Sequence, residues 1–370
     1  MKILFYIDTF YKGGAQRVMS CLITQFNNLN NEIIALDDFP PDKTKPQYHL
    51  PDSVKRIHVL KTNSGNSIIK NVKRIISIRR ICQQEKPDII ISFLGRPNTR
   101  MLFSTIDLNC RKIVSIRNDP NKEYGKGYLK RFFYNNLFKL ADGYVFQTVD
   151  AMNYFSDKIR KKSAVIKNPV DEMFYHTQWT ENSEKKIVAV GRLAKQKNHL
   201  LLIDAFREAG TILNEYVLEI YGEGPLKDEL EKYIVSNGLE ERVFLQGNTD
   251  RIEQILATAS LFVLTSDYEG MPNALMEAMA VGTPAISTDC PCGGPRELLK
   301  GLKYKKLVKC NDRNMLAKSI TEVLLDMDLQ KCMSMEEKKR AESYRIDGIV
   351  AEWEKYIYIV CAGGKVNEAV

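Results

Sequence analysis

The sequence predicts an α/β protein built from two Rossmann-like, doubly wound domains that face each other across a cleft. The chain has 370 residues, a length that suits two domains. Short apolar runs alternate with helix-like segments, which is typical of parallel sheets covered by helices. The same alternation restarts after a turn at Asn168-Pro169 and a polar connector at Trp179–Lys186.

Five runs in the first half predict buried parallel strands because nearly all of their residues are apolar. They are Ile3–Ile7, Glu32–Leu36, Ile89–Phe93, Ile113–Ile116 and Tyr144–Gln147. Helical patterns lie between them, for example at Gln16–Phe26 and Ile68–Gln84. We therefore expect a first domain over residues 1–170.

The second half repeats this pattern. Its predicted strands are Ile187–Val190, Val217–Tyr221, Val243–Gln246, Leu261–Leu264 and Ala285–Ser287. A helix is expected over Asn198–Glu208, with Asn198 as its N-cap. We expect a second domain over residues 185–345 and a last helix over about 349–362 that packs back on the first domain. Residues 362–370 are predicted to fray.

Charge is divided unequally along the chain. Residues 1–180 contain 29 Lys and Arg against 16 Asp and Glu, whereas residues 181–370 contain 25 against 30. A basic first half favours an anionic partner, namely nucleic acid, anionic lipid or a phosphate-bearing substrate. No nucleic-acid-binding module is evident, so we expect no nucleic-acid partner.

Cysteine spacing and hydropathy exclude other classes of protein. Of eight cysteines only Cys290 and Cys292 are close together, which leaves a zinc site without a second pair of ligands. No run of about 18 apolar residues is present, so no membrane-spanning helix is expected.

Three glycine-containing turns follow predicted strands. Gly13-Gly14 precedes a helix start, a combination that suits either phosphate binding or a tight turn alone. Gly191-Arg192, with Lys197 after it, places two positive charges on one loop, where they bind a diphosphate or merely face solvent. Gly222 lies in a third turn, which is equally consistent with a plain turn.

The segment from Ser266 to Ala278 carries two carboxylates eight residues apart. Pro272 suits the first turn of a helix, so Glu269 is expected in the loop before it and Glu277 inside it. A carboxylate accepts two hydroxyl hydrogen bonds at once, which fits the vicinal diols of a ribose or a hexose.

Together these motifs resemble the retaining glycosyltransferases of the GT4 family, which have the GT-B fold. The resemblance covers most of the chain and is densest over residues 187–298. Cys292-Gly293-Gly294-Pro295-Arg296-Glu297 is similar to members that build bacterial surface polysaccharides.

The resemblance implies a donor site. Arg192 and Lys197 would hold the donor diphosphate, Glu277 the ribose, and Glu269 the transferred sugar near its reacting carbon. The implied donor-binding set also includes Gly13, Gly14, Gly222, Gly270, Asn273 and Ala274. No cofactor and no metal are expected, and Asp326-Met327-Asp328, which matches a metal motif of another fold, is interpreted as a solvated face.

One feature of many relatives is absent, a His in the first domain near the reacting sugar. The corresponding stretch is Ser115–Asp119, so Arg117, Asn118 or Asp119 is expected to substitute, and Arg117 and Asp119 join Glu269 as catalytic candidates. Arg96, Asn98 and Arg117 are candidates for acceptor binding, because each follows a predicted strand. His199 is interpreted as a structural residue.

Two basic segments, Ile68–Arg80 and Lys126–Lys139, mix positive and apolar side chains. They suit helices on an anionic membrane surface, or ordinary helices with the apolar face in the core.

The expected function is transfer of a hexose or N-acetylhexosamine from a nucleotide-sugar, with UDP favoured by family frequency. The expected acceptor is a lipid-linked glycan for O-antigen or capsule, at the inner face of the cell membrane. The alternatives are a nucleotide-sugar epimerase of the same fold and transfer to a soluble or protein acceptor.

Overall fold

The computed structural model describes residues 1–42, 44–62, 67–181 and 184–363. It divides into two compact units, Met1–Pro169 with Asp347–Val370, and Val170–Ile346. The second unit begins directly after the turn at Asn168-Pro169, so the predicted connector already belongs to it. The sequence predicts that residues 362–370 fray, and residues 364–370 of that stretch lie outside the described residues.

The first unit contains a parallel sheet of seven strands. These strands are β1 (Lys2–Tyr6), β2 (Glu32–Asp37), β3 (Lys55–His58), β4 (Ile89–Phe93), β5 (Arg111–Ile116), β6 (Gly143–Phe146) and β7 (Ser163–Val165). Their order in the sheet is β3-β2-β1-β4-β5-β6-β7. The order reverses between β1 and β4, and the loops that follow such strands form the ligand edge of a doubly wound sheet.

Helices cover the faces of this sheet because β1 and β4 are apolar on both faces. The helices are α1 (Gly14–Asn28), α2 (Ser67–Glu85), α3 (Gly95–Ser104), α4 (Pro120–Glu123), α5 (Tyr128–Phe138), α6 (Val149–Met152) and α7 (Asp157–Arg160).

The second unit repeats the doubly wound arrangement with six parallel strands. These strands are β8 (Glu184–Val190), β9 (Val217–Tyr221), β10 (Val243–Gly247), β11 (Ala259–Leu264), β12 (Ala285–Thr288) and β13 (Lys306–Val308), in the order β10-β9-β8-β11-β12-β13. Its helices are α8 (Glu172–His176), α9 (His199–Glu208), α10 (Lys227–Ser236), α11 (Ile252–Thr258), α12 (Asn273–Val281), α13 (Gly294–Leu298), α14 (Arg313–Leu325) and α15 (Met327–Ala341).

The last helix, α16 (Ile346–Cys361), packs on the first unit. The Trp353 ring is fully buried and stacks on Phe93, with ring centroids 5.9 Å apart. The Tyr356 hydroxyl accepts a hydrogen bond from the Tyr144 backbone N–H at 2.6 Å, which ties the helix to the start of β6. The C-terminal helix therefore completes the core of the N-terminal sheet.

Capping residues set several helix ends. Asn198 is the N-cap of α9, as predicted, and its side chain accepts from the Leu201 N–H. Pro272 directly precedes the first residue of α12 instead of lying inside the helix. Asp326 is exposed and caps α15 through the Leu329 N–H, so the Asp326-Met327-Asp328 stretch is a helix start on a solvated face, as predicted.

Candidate functional site

Glu269 lies in the loop between β11 and α12, at the carboxyl end of the second sheet. The residue is buried, with 7% of its surface exposed. Oε1 accepts a hydrogen bond from the Ser266 hydroxyl at 2.7 Å and lies 2.6 Å from Nζ of Lys197. The ammonium and the carboxylate that the sequence predicts for the donor site therefore meet in the structure.

Neighbouring polar residues hold the two loops together, and sequence reasoning missed Gln196 and Asp267 among them. The Gln196 side chain donates to the Tyr268 carbonyl at 2.9 Å, and the Asp267 N–H donates to the Gln196 carbonyl at 2.8 Å. Asn198 Nδ2 donates to Asp267 Oδ1 at 2.8 Å. Gln196 directly precedes the predicted site residue Lys197, and Ser266 and Asp267 lie between the end of β11 and Glu269. That position is the signal that could have identified them.

A third loop supports Glu269 from the end of β12. The Glu269 N–H donates to the Pro291 carbonyl at 3.1 Å. A Cβ atom at Gly294 would lie 1.8 Å from the Gly270 carbonyl oxygen, so only glycine permits this approach of two backbones. The Cys292–Glu297 run thus shapes the loop that carries Glu269.

Gly222 brings the loop after β9 against the loop after β8. A Cβ atom there would lie 2.1 Å from the Gly191 carbonyl oxygen, and the backbone φ of +138° is open only to glycine. The structure therefore gives Gly222 a packing reason of its own, and its predicted contact with the donor stays a prediction.

The other predicted donor residues lie at the same edge of the second sheet. Glu277 is the fifth residue of α12 and only 4% exposed, so it is not an ordinary surface glutamate. Asn273 and Ala274 form the first turn of that helix, where backbone N–H groups lack helical partners. The Arg192 side chain is exposed to solvent beside the Lys197 loop.

His199 is buried behind the Lys197 loop, at the first residue of α9. Burial lowers the pKa of its imidazole to about 4, and the nearby charge of Lys197 acts in the same direction. The ring is therefore neutral at physiological pH, in accord with the predicted structural role.

The first unit has a cavity of about 1020 Å³ at the carboxyl ends of β1, β2 and β4. Ionisable groups on its wall are Asp8, Asp38, Lys70, Arg74, Arg96, Arg100 and Glu123. Asp38 is paired with Arg74 at 2.9 Å and with Arg100 at 2.8 Å, so its one negative charge compensates only one of the two positive charges. A cavity of this size, lined by charged as well as apolar side chains, accommodates a sugar.

The predicted glycine loop lies near this cavity. Gly13 is the N-cap residue of α1 and Gly14 its first residue. The Gln16 side chain reaches back from the helix to Asp8 Oδ1 at 3.4 Å. The loop is consistent with phosphate approach to the start of α1, but that role stays a prediction.

Among the predicted acceptor residues, Arg96 lines the cavity but Asn98 does not. The Asn98 side chain is fully buried, bonds to Ser92 Oγ at 2.6 Å and donates to the Ser115 carbonyl at 2.9 Å. The prediction of Asn98 as an acceptor contact is wrong, because its side chain ties β4 to β5 inside the core.

Asp119 also has a structural role. It is the N-cap of α4, and its Oδ1 accepts from the Asn121 N–H at 2.9 Å and from the Asn121 amide at 3.0 Å. Asn118 in turn accepts from the Asp119 N–H at 2.8 Å. Capping by Oδ1 gives Asp119 a structural role of its own, and its predicted catalytic role stays a prediction.

Arg117 is buried in the core of the first unit. Its guanidinium lies 4.0 Å from the centroid of the Phe93 ring and 5.5 Å from that of Trp353, and Nη1 donates to Asn168 Oδ1 at 2.9 Å. Burial lowers the pKa of this group to about 9. Arg117 anchors the chain at Asn168 and does not line the cavity of the first unit, and its predicted catalytic and acceptor-binding roles stay predictions.

The two basic segments form helices whose apolar side chains are partly in solvent. On α2, Ile78, Ile81 and Cys82 face the core, whereas Ile68, Ile69, Val72 and Ile76 are exposed. On α5, Tyr128, Leu129, Phe132 and Phe133 are each more than half exposed. Within the described ranges, none of the helices has the length and apolarity needed to cross a membrane.

Comparison with known proteins agrees with this geometry. Residues 172–341 match the family of glycosyl transferases group 1. The chain is 29% identical over 374 residues to the N-acetylgalactosamine-N,N'-diacetylbacillosaminyl-diphospho-undecaprenol 4-alpha-N-acetylgalactosaminyltransferase of Campylobacter jejuni, covering 96% of this chain and 99% of that enzyme.

Two solved structures share the fold. Sucrose-phosphate synthase of Thermosynechococcus elongatus superposes with a TM-score of 0.84 at 15% identity, covering 98% of this chain and 99% of that one. HepE of Anabaena, solved with UDP and glucose, superposes with a TM-score of 0.81 at 17% identity, covering 97% and 99%. The two parallel-sheet units are thus those of the GT-B architecture.

Proposed function

We propose that this chain is a group 1 glycosyl transferase, of the GT4 family of retaining enzymes, and that it moves a hexose or an N-acetylhexosamine from a UDP-sugar to a lipid-linked glycan. The sugar would enter a bacterial surface polysaccharide such as O-antigen or capsule. The family match over residues 172–341 supports the transfer itself. The donor, the acceptor and the destination are the finer part of the proposal.

The arrangement of Lys197, Glu269 and Ser266 carries the donor half of the proposal. The ammonium and the carboxylate lie 2.6 Å apart between two loops at the carboxyl edge of the second sheet. A nucleotide-sugar presents a diphosphate that attracts the ammonium and hydroxyls that donate to the carboxylate. UDP in the similar HepE structure favours uridine as the nucleotide.

In the proposed reaction the bond between the anomeric carbon and the diphosphate oxygen breaks. The acceptor hydroxyl forms the new bond on the same face of the sugar and passes its proton to the departing diphosphate oxygen, and UDP leaves. Arg192 and Lys197 would stabilise the negative charge that develops on the leaving diphosphate. Glu277 would accept hydrogen bonds from the ribose hydroxyls.

The acceptor half is supported by the relative and by the exposed helices of the first unit. The Campylobacter jejuni enzyme is named for an acceptor linked to diphospho-undecaprenol. Helices α2 and α5 combine exposed apolar side chains with Lys and Arg, a composition that binds anionic lipid surfaces. We propose that they place the enzyme on the inner face of the cell membrane, where such a lipid carrier would be reached.

The test is a transfer assay with labelled UDP-sugars in four arms: no acceptor, a polyprenyl-diphosphate-linked glycan, the same glycan free in solution, and a protein acceptor. We expect labelled lipid in the second arm alone. A new UDP-sugar formed without acceptor would favour the epimerase alternative, and label in the third or fourth arm would favour a soluble or protein acceptor. A Glu269→Ala variant that kept full transfer would contradict the donor site.

A further inference from the structure

Glu123 is the last residue of α4 and lies on the wall of the cavity of the first unit. It also lines a smaller adjoining cavity of about 380 Å³, whose wall includes Leu129 and Phe133 of the exposed helix α5. Its carboxyl group therefore lies where the polar cavity meets the apolar surface proposed to contact lipid. Sequence reasoning did not single out this residue.

One oxygen of this carboxyl is fixed and the other is not. Oε1 accepts from the Gly95 N–H at 3.1 Å, at the start of α3. Oε2 is shielded from solvent and has no hydrogen-bond partner among residues 1–42, 44–62, 67–181 and 184–363. A shielded carboxyl oxygen without a donor is costly, and its persistence favours a ligand that supplies the donor.

Gly95 is shaped to hold this carboxyl. A Cβ atom at Gly95 would lie 3.1 Å from the Tyr124 ring and 3.5 Å from the Glu123 carboxyl carbon. The absence of a side chain lets the helix N–H reach Oε1. Because the last torsion of a glutamate is soft, the unpaired oxygen can turn toward the cavity at little cost.

We propose that Glu123 is a specificity-determining residue for the acceptor, whose carboxyl accepts a hydrogen bond from a hydroxyl of the acceptor sugar in this cavity. This inference rests on the proposed function, because it needs a glycan acceptor in the first unit. Burial raises the pKa of Glu123 to about 7, and hydrogen bonding from the Gly95 N–H and the Tyr124 hydroxyl opposes this shift only in part. This agrees with a carboxyl that is under-bonded until the sugar binds.

The second unit offers a matched control. Glu337 on α15 is buried, with Oε1 accepting from the Ala285 N–H at 3.4 Å and Oε2, like that of Glu123, shielded and unpartnered within the described part of the chain. Ala285 is the first residue of β12, so this carboxyl lies at the amino end of its sheet, opposite the donor loops. It shares the chemistry of Glu123 without a place at a ligand edge.

The experiment compares Glu123→Gln and Glu337→Gln in the full-length enzyme, with a polyprenyl-diphosphate-linked N-acetylhexosamine as acceptor. We expect Glu123→Gln to raise the acceptor KM about tenfold or more, since hydrogen bonds to charged groups contribute at this level, with the donor KM unchanged. Glu337→Gln should leave both KM values unchanged. Neither variant should melt below the wild type, because each replaces an under-bonded carboxyl by a neutral amide.

A second arm uses deoxy analogues of the acceptor with the wild-type enzyme, so that it does not depend on a variant folding. Loss of one acceptor hydroxyl should raise the acceptor KM of the wild type about tenfold. The same analogue should change the acceptor KM of Glu123→Gln only a little. Wild-type transfer with an acceptor KM that stays within twofold in Glu123→Gln would overturn this inference alone. Absence of wild-type transfer to every acceptor would overturn the proposed function and the inference with it.

Discussion

The Nζ atom of Lys197 lies 2.6 Å from Oε1 of Glu269, so two groups with separate predicted ligands, the diphosphate and the sugar, are bonded to each other. The pair keeps both charges compensated in a largely buried loop, with side-chain exposures of 18% and 9%. A diphosphate that attracts Lys197 would release Glu269 to accept from the sugar. In the proposed site, donor binding would thus exchange one set of charge-assisted bonds for another.

We expect either single variant, Lys197→Ala or Glu269→Ala, to lower kcat/KM by about 100-fold or more, because each removes a charged group aimed at the reacting sugar or its leaving group. Each should also cost about 3 kcal/mol of unfolding free energy by leaving its partner buried and unpaired. The double variant should lose less stability than the sum of the two, which denaturant titration measures.

The pair Lys306–Glu322 in the same unit is the control for that cycle. Its atoms lie 2.5 Å apart, but the glutamate is 51% exposed. Lys306→Ala should cost no more than about 1 kcal/mol and leave transfer unchanged. Strict additivity at Lys197 and Glu269 would show that the two side chains are not coupled.

Gly222→Ala should destabilise the protein by about 3 kcal/mol or more. The new methyl group would meet the Gly191 carbonyl oxygen at 2.1 Å, in a backbone conformation that only glycine adopts freely. Gly238→Ala is the matched control, since its φ is also positive, at +64°, but nothing lies within 4 Å of the added atom. Gly238→Ala should lower the unfolding free energy by about 1 kcal/mol. Similar shifts in melting temperature for both variants would contradict the packing argument.

The buried imidazole of His199 should make the protein less stable in acid. Its pKa is lowered to about 4 by burial, whereas in the unfolded chain it titrates near its ordinary value of 6.5. Between these values the unfolded state binds the proton and the folded state does not, so stability is present above the unfolded pKa and falls as the pH drops toward 4. Between pH 7 and pH 4 the unfolding free energy should fall by about 2–3 kcal/mol because of this group.

This pH dependence can be isolated by substitution. His199→Leu should lose that part of the slope, measured as unfolding free energy between pH 7 and pH 4. His176→Leu, at the exposed end of α8, should keep the wild-type slope. An unchanged slope in His199→Leu would mean that other groups cause the acid sensitivity.

Strand prediction from the sequence succeeded where apolar runs are long. Ile89–Phe93 was predicted to the residue, because a central parallel strand is apolar on both faces. The short outer strands β3, β7 and β13 were missed. Lys55–His58 and Lys306–Val308 have too few residues, and too many charged ones, to form a recognisable run.

Motif spacing and position after a strand differ in how much they tell about the candidate site. Glu269 and Lys197 were identified by spacing, and the structure brings them together. Asn98 was misassigned because a position after a strand does not tell whether the side chain turns to the ligand edge or into the core. Asp119 precedes Pro120, and this pattern of an N-cap before a first-turn proline could have predicted its capping role.

The exposed face of α5 yields the last prediction, which concerns membrane binding. Tyr128 and Phe132 are 81% and 60% exposed and stack with ring centroids 6.5 Å apart, beside Lys126, Lys130 and Arg131. Aromatic side chains that insert at a lipid surface contribute about 1.5–3 kcal/mol each. The double variant Tyr128→Glu/Phe132→Glu should therefore reduce flotation with anionic vesicles by about 100-fold or more.

The control for this prediction is Leu325→Glu, at a 66% exposed leucine of the second unit, which should float like the wild type. Equal flotation of all three proteins, or wild-type binding that does not weaken with salt, would show that α5 is not the docking surface.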